Sequence, residues 1–137
     1  MNKSRISFIA ILCMLFSISL AQNGFGQGDS ALEVTDAAIC LNIENRACVD
    51  PKEEFSTENE TLHCFTRVTG AKEDIEVTHV WYYGDVERAR ISLSVRSSNW
   101  RTYSSKRIQT HETGKWRVEV LGPGNALLKT IPFSVVQ

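Results

Sequence analysis

Apolar and polar residues alternate one for one along most of this chain, which is the period of a β-strand with one buried face. The alternation is clearest where Ile75, Val77, His79, Trp81 and Tyr83 share one face and Glu76 and Thr78 take the other. Gly84-Asp85 then supplies a turn, and Ala89, Ile91, Leu93 and Val95 alternate with Arg88, Arg90, Ser92 and Ser94. The pair reads as a hairpin with one dry and one wet side. Trp116, Val118 and Val120 repeat the pattern against Arg117 and Glu119, and Gly122-Pro123-Gly124-Asn125 turns the chain into a strand from Leu127 to Val136. Pro132 inside that strand predicts an edge position or a bulge. Leu32 and Val34 are apolar on even positions and Ile39, Leu41 and Ile43 on odd ones, so a β-bulge is expected near Asp36-Ala37. Leu62 to Val68 predicts another strand, and Asn99 to Ile108 a polar one.

No segment carries the helical period. About seven strands in a chain of this size predict an all-β fold, an antiparallel β-sandwich of immunoglobulin-like type. The acidic stretch between Arg46 and Asn59, with Pro51, is expected to be a surface loop pinned to the core by Phe55.

The N-terminus breaks the alternation. Lys3 and Arg5 precede an apolar run from Ile6 to Leu20, and Ser19 and Ala21 offer the small residues that a signal peptidase reads. At about 15 residues the run falls short of a membrane span. Residues 1–21 are therefore expected to be a cleaved signal peptide, with a second cleavage point after Gly26. The mature protein would have no stable membrane span. Cys13 lies mid-run, where a lipid-attachment cysteine would not. The Gly-rich residues 22–30 read as a flexible linker, and residues 31–137 as a single domain.

Export changes what charge and cysteines mean. All 16 acidic residues lie beyond the leader, whereas Lys3 and Arg5 leave with it, so 13 basic residues face them. That balance argues against nucleic-acid binding. Cys40, Cys48 and Cys64 remain in an oxidising compartment, which predicts one disulfide, and any of the three pairings leaves one thiol over. No cysteine or histidine spacing fits a metal site, His63, His79 and His111 included, and no metal or other cofactor is expected.

The segment from Trp100 to Arg107 carries the most chemistry. As a strand it sets Trp100, Thr102, Ser104 and Lys106 on one side and Arg101, Tyr103, Ser105 and Arg107 on the other. Neither side is apolar enough for ordinary core. Aromatic rings pack on the C–H face of a sugar, and arginine and hydroxyl groups bond carboxylates or hydroxyls. Trp100, Arg101, Tyr103, Ser105 and Lys106 are the candidate binding residues. His79 joins them as a pH-sensitive or ligand-touching group, against the ordinary reading of a neutral core histidine. Ser104, Ser105 and Lys106 lack the spacing of a serine–lysine nucleophile, and no phosphate loop, zinc-protease or nucleophile-elbow motif occurs. The expectation is therefore not an enzyme.

Three segments together resemble the bacterial domain of unknown function 2914: His79-Val80-Trp81-Tyr82-Tyr83, Trp100-Arg101-Thr102-Tyr103-Ser104-Ser105-Lys106, and Gly114-Lys115-Trp116-Arg117-Val118-Glu119-Val120. Ala38-Ile39-Cys40, the Arg46 to Phe55 stretch and Leu62-His63-Cys64-Phe65-Thr66 are similar too, so the likeness runs from about residue 32 to 136. The resemblance implies a compact domain able to stand alone behind a leader. It also implies a Cys40–Cys64 disulfide, since both cysteines fall in matching segments, and leaves Cys48 as the free thiol.

The sequence thus points to an exported, periplasmic or extracellular, non-enzymatic binding domain that contacts an envelope protein. The alternative is a carbohydrate-binding module stacking a glycan on Trp100 and Tyr103, with Tyr82 beside them. Neither the partner nor the oligomeric state is legible in it.

Overall fold

A computed structural model describes residues 31–137; the expected signal peptide with Cys13 and the expected linker lie outside the described residues. Nine strands follow one another: β1 (Glu33–Glu44), β2 (Ala47–Pro51), β3 (Glu54–Ser56), β4 (Thr61–Thr69), β5 (Ile75–Tyr83), β6 (Val86–Val95), β7 (Asn99–Arg107), β8 (Gly114–Leu121) and β9 (Leu127–Val136). They form two sheets, ordered β2-β1-β4-β7 and β3-β9-β8-β5-β6. All pairings are antiparallel except β3 with β9, which is parallel. This is the expected all-β sandwich of immunoglobulin-like type. The two strands beyond the expected seven, β2 and β3, both arise from the acidic stretch read as a loop. Phe55 does pin it, at 2% exposure, edge-on to Phe133.

The predicted faces hold. Val77, His79 and Trp81 of β5 and Trp116, Val118 and Val120 of β8 point inward to meet Ile39, Leu62, Cys64 and Val68 of the other sheet. The phase change in β1 is a register shift between Val34 and Asp36. Pro132 lies just ahead of the stretch of β9 that β3 pairs, where its missing N–H costs no ladder bond. Gly84 takes a φ of +57° in the β5–β6 turn, a conformation that glycine adopts at little cost.

The disulfide differs from the expectation. Cys40 bonds Cys48, across a Cα–Cα distance of 5.7 Å, and Cys64 is the free cysteine. The reason is register. Cys64 stands opposite Ile39, and Cys40 opposite His63, so the pleat turns the two cysteines to opposite faces of one sheet. Cys64 faces the core, where burial pushes its thiol well above its ordinary pKa. Cys40 faces outward and meets the β2 cysteine there.

One polar network crosses the core. His79 Nε2 lies 3.0 Å from Thr66 Oγ1 on β4, and Nδ1 lies 2.7 Å from Ser104 Oγ on β7. Trp81 Nε1 donates to the same Ser104 oxygen at 3.0 Å. An indole N–H can only donate, so Ser104 Oγ accepts from Trp81, and both ring nitrogens of His79 meet hydroxyls that can donate or accept. Burial lowers the His79 pKa to about 4, which keeps the ring neutral.

Candidate binding face

Alternation along β7 sorts the sequence-predicted residues into three places. Arg101, Tyr103 and Ser105 come together on the outer face of the four-stranded sheet, all exposed. Trp100 and Lys106 lie on the inward-turned side of this edge strand, half-buried. Trp100 packs against the core, and Lys106 Nζ donates to the Arg107 carbonyl at 2.6 Å. His79 is fully buried, so the ordinary reading of a core histidine replaces the ligand-touching one. Trp100 and Tyr103 face opposite ways and do not form a shared stacking platform.

The outer face gains residues that the sequence reading did not single out. Every residue of β7 pairs with β4, which places Phe65 opposite Tyr103, Arg67 opposite Arg101 and His63 opposite Ser105. Phe65 is only 5% exposed although it points away from the core, and it stands outside the core cluster. Its cover comes from the outer-face side chains. A trough of about 590 Å³ runs over it, lined by Arg46, Arg67, Arg101 and Tyr103 on this face and, round the edge of β7, by Trp100, Thr102 and Ser94. Tyr103 is 47% exposed, with its ring edge-on to His63 at 6.2 Å. His63 Nδ1 and Ser105 Oγ are 2.6 Å apart, and partial burial lowers the histidine's pKa.

Arg46 owes its position to the β1–β2 hairpin. Glu44 pairs with Ala47, so Asn45-Arg46 is a two-residue loop, and both residues take positive φ, 51° and 59°. Such a turn calls for Asn-Gly. Arginine here holds the left-handed conformation without glycine's freedom, a cost of about 1 kcal/mol.

Three charges of this face are open, whereas Arg107 at the end of β7 lies 3.7 Å from Glu60. Arg67 Nε donates to Asn99 Oδ1 at 2.8 Å, and among the described residues neither Arg46, Arg67 nor Arg101 has a carboxylate within ion-pair distance. Asp36 stands opposite Arg67 in the register without reaching it. On the outer face of the five-stranded sheet the arginines are engaged. Arg90 pairs with Glu87 at 2.7 Å, and Arg117 meets Asp85 at 3.3 Å and Glu119 at 3.4 Å, while its guanidinium lies 4.1 Å above the Tyr82 ring.

The Ser104–His79 pair has the reach of a nucleophile and its base. Yet it is sealed in the core, with Ser104 4% exposed and the second ring nitrogen meeting a threonine hydroxyl. No substrate reaches it. No group of three or more metal-ligating side chains gathers among the described residues. No helix among them is long and apolar enough to cross a membrane.

The family model described as a protein of unknown function, DUF2914, matches residues 74–135. That stretch belongs to the DUF2914 family. The matched part spans β5 to β9 and includes Arg101 and Tyr103, whereas Arg46, Arg67 and all three cysteines of the domain lie before it. No curated protein matches the chain. Among solved structures, the chain is similar to an immunoglobulin-like protein from Pseudomonas aeruginosa, at 13% identity and a TM-score of 0.54, covering 80% of this chain and 99% of that one. The likeness extends to the fold alone.

Proposed function

We propose that this DUF2914 protein is an exported, non-enzymatic binding domain that engages a component of the cell envelope through the outer face of β4 and β7. The observation that carries the reading is a contrast between particular arginines on the two faces. Arg90 and Arg117 are closed by their own carboxylates, whereas Arg67 and Arg101 stand open beside an exposed tyrosine. Unpaired guanidinium forks next to an aromatic ring are groups with unspent recognition capacity. Export is supported by the leader and is compatible with a disulfide in the domain.

Labelled protein incubated with isolated envelopes tests this. Retention should be saturable, and Arg101→Glu should weaken it by about tenfold or more, the worth of one charge-assisted hydrogen bond. Arg90→Ala, on the other sheet, should leave it unchanged. Equal retention of the two variants, or none of the parent protein, would sink the proposal.

A further inference from the structure

We infer that the outer face of β4 and β7 takes a polysaccharide bearing carboxylates, of the uronic-acid class. The inference rests on the binding reading above and names its ligand.

Two arginines meet on this face, with Asp36 opposite Arg67 in the β1–β4 register but not within ion-pair distance. Arg67 and Arg101 stand directly opposite each other in the β4–β7 register, and like charges facing across an antiparallel pair destabilise it. An anion between them turns that repulsion into shared binding. Arg46 occupies the turn position that the hairpin would give to glycine, at a φ of 59°, and lines the same trough. Charges on an edge strand also deter strand-to-strand aggregation, and Arg101 on β7 serves that end too. That explanation does not reach Arg67, on a strand paired on both sides, or Arg46, in a turn.

The shape points to a chain of sugars rather than a folded acidic protein. A volume of about 590 Å³ is that of a ligand cleft. Tyr103 presents its ring among the arginines, so a sugar's C–H face can pack on it while the guanidinium forks hold carboxylates to either side. Asn99 Oδ1 is taken by Arg67 Nε, which leaves that guanidinium's terminal nitrogens without a partner among the described residues.

Calorimetric titration of the exported chain separates the outcomes. The probes are oligogalacturonate, the same oligomer fully methyl-esterified, and poly-L-glutamate. Oligogalacturonate should bind, and esterification, which removes the charge but keeps the rings, should weaken it by about tenfold or more. Tyr103→Ala and Arg67→Gln should each reduce affinity similarly. Arg46→Gly should reduce affinity while Tm holds or rises, which a merely structural role for Arg46 would not produce. Poly-L-glutamate binding as tightly as the oligouronate would overturn the assignment in favour of an acidic protein. Failure of all three probes, with Arg101-dependent envelope retention intact, would overturn the polysaccharide and leave the binding reading standing. Loss of envelope retention itself would end both.

Discussion

His79 is the residue whose chemistry is most sharply set by its surroundings. Its pKa is about 4 in the folded protein and 6.5 when free of it. Between those values the unfolded chain holds a proton that the folded chain lacks, so stability falls as pH drops through that window and levels off below it. The full effect is about 3 kcal/mol. Denaturant melts at pH 7.5, 6.5, 5.5 and 4.5 should trace that decline, and His79→Gln, whose amide does not titrate, should flatten it. Glu112 is a second residue held against its nature. Its carboxylate is 1% exposed, accepting the Gln109 N–H at 2.8 Å and lying 3.0 Å from Arg88 Nη2, and so ties the β7–β8 connection to β6. Glu112→Ala should cost about 3 kcal/mol in the same melts, because an Arg88 partner and a backbone N–H are both left without it. A loss within error of zero would show that the ion pair does not hold the loop.

Among the elements, the β1–β2 hairpin carries the clearest prediction. Its disulfide closes a loop of sequence separation 8, for which chain entropy gives about 2.5 kcal/mol. Replacing both Cys40 and Cys48 by serine should lower stability by about that much. Trypsin cuts after Arg46, between the two cysteines, so a non-reduced digest should yield their peptides joined and Cys64 in an unlinked one. A Cys40–Cys64 crosslink in that digest would contradict the connectivity. The strands themselves were legible because burial writes a period of two into them. Val77, Trp81, Val118 and Val120 stand where their alternation put them. The disulfide was not legible, because it depends on which β1 residue faces which β4 residue, and pairing between strands some 25 positions apart leaves no local mark. Arg67 and Phe65 escaped for the same reason. They reach the candidate face only through the β4–β7 pairing, and the connection between those strands runs through β5 and β6. Arg101, Tyr103 and Ser105 were legible since one strand carries all three. β2 and β3 hid in an acidic stretch whose composition reads as solvent-exposed loop.

For the whole molecule, the two outer faces differ in how their arginines are held. The five-stranded sheet holds Arg90 and Arg117 against carboxylates, and on the four-stranded sheet Arg67 and Arg101 stand open while Arg107, at the end of β7, pairs with Glu60. Attachment through exposed guanidinium groups is screened by salt, so envelope retention should fall steadily as ionic strength rises from 0.05 to 0.5 M, roughly the range over which the Debye length shrinks below the size of the trough. Retention indifferent to salt would point to an apolar contact instead. The placement of the cysteines bears on how the chain reaches this fold at all. A slip of β1 against β4 by a single residue would set Cys40 directly opposite Cys64, and would turn the inward side chains of β1 to solvent. An oxidant meeting the chain in that state could seal the error covalently. Eight positions separate Cys40 from Cys48 and 24 separate it from Cys64, so the nearer thiol meets it sooner as the chain folds. Once tied to Cys48, Cys40 has no thiol left with which to lock the slipped register in place.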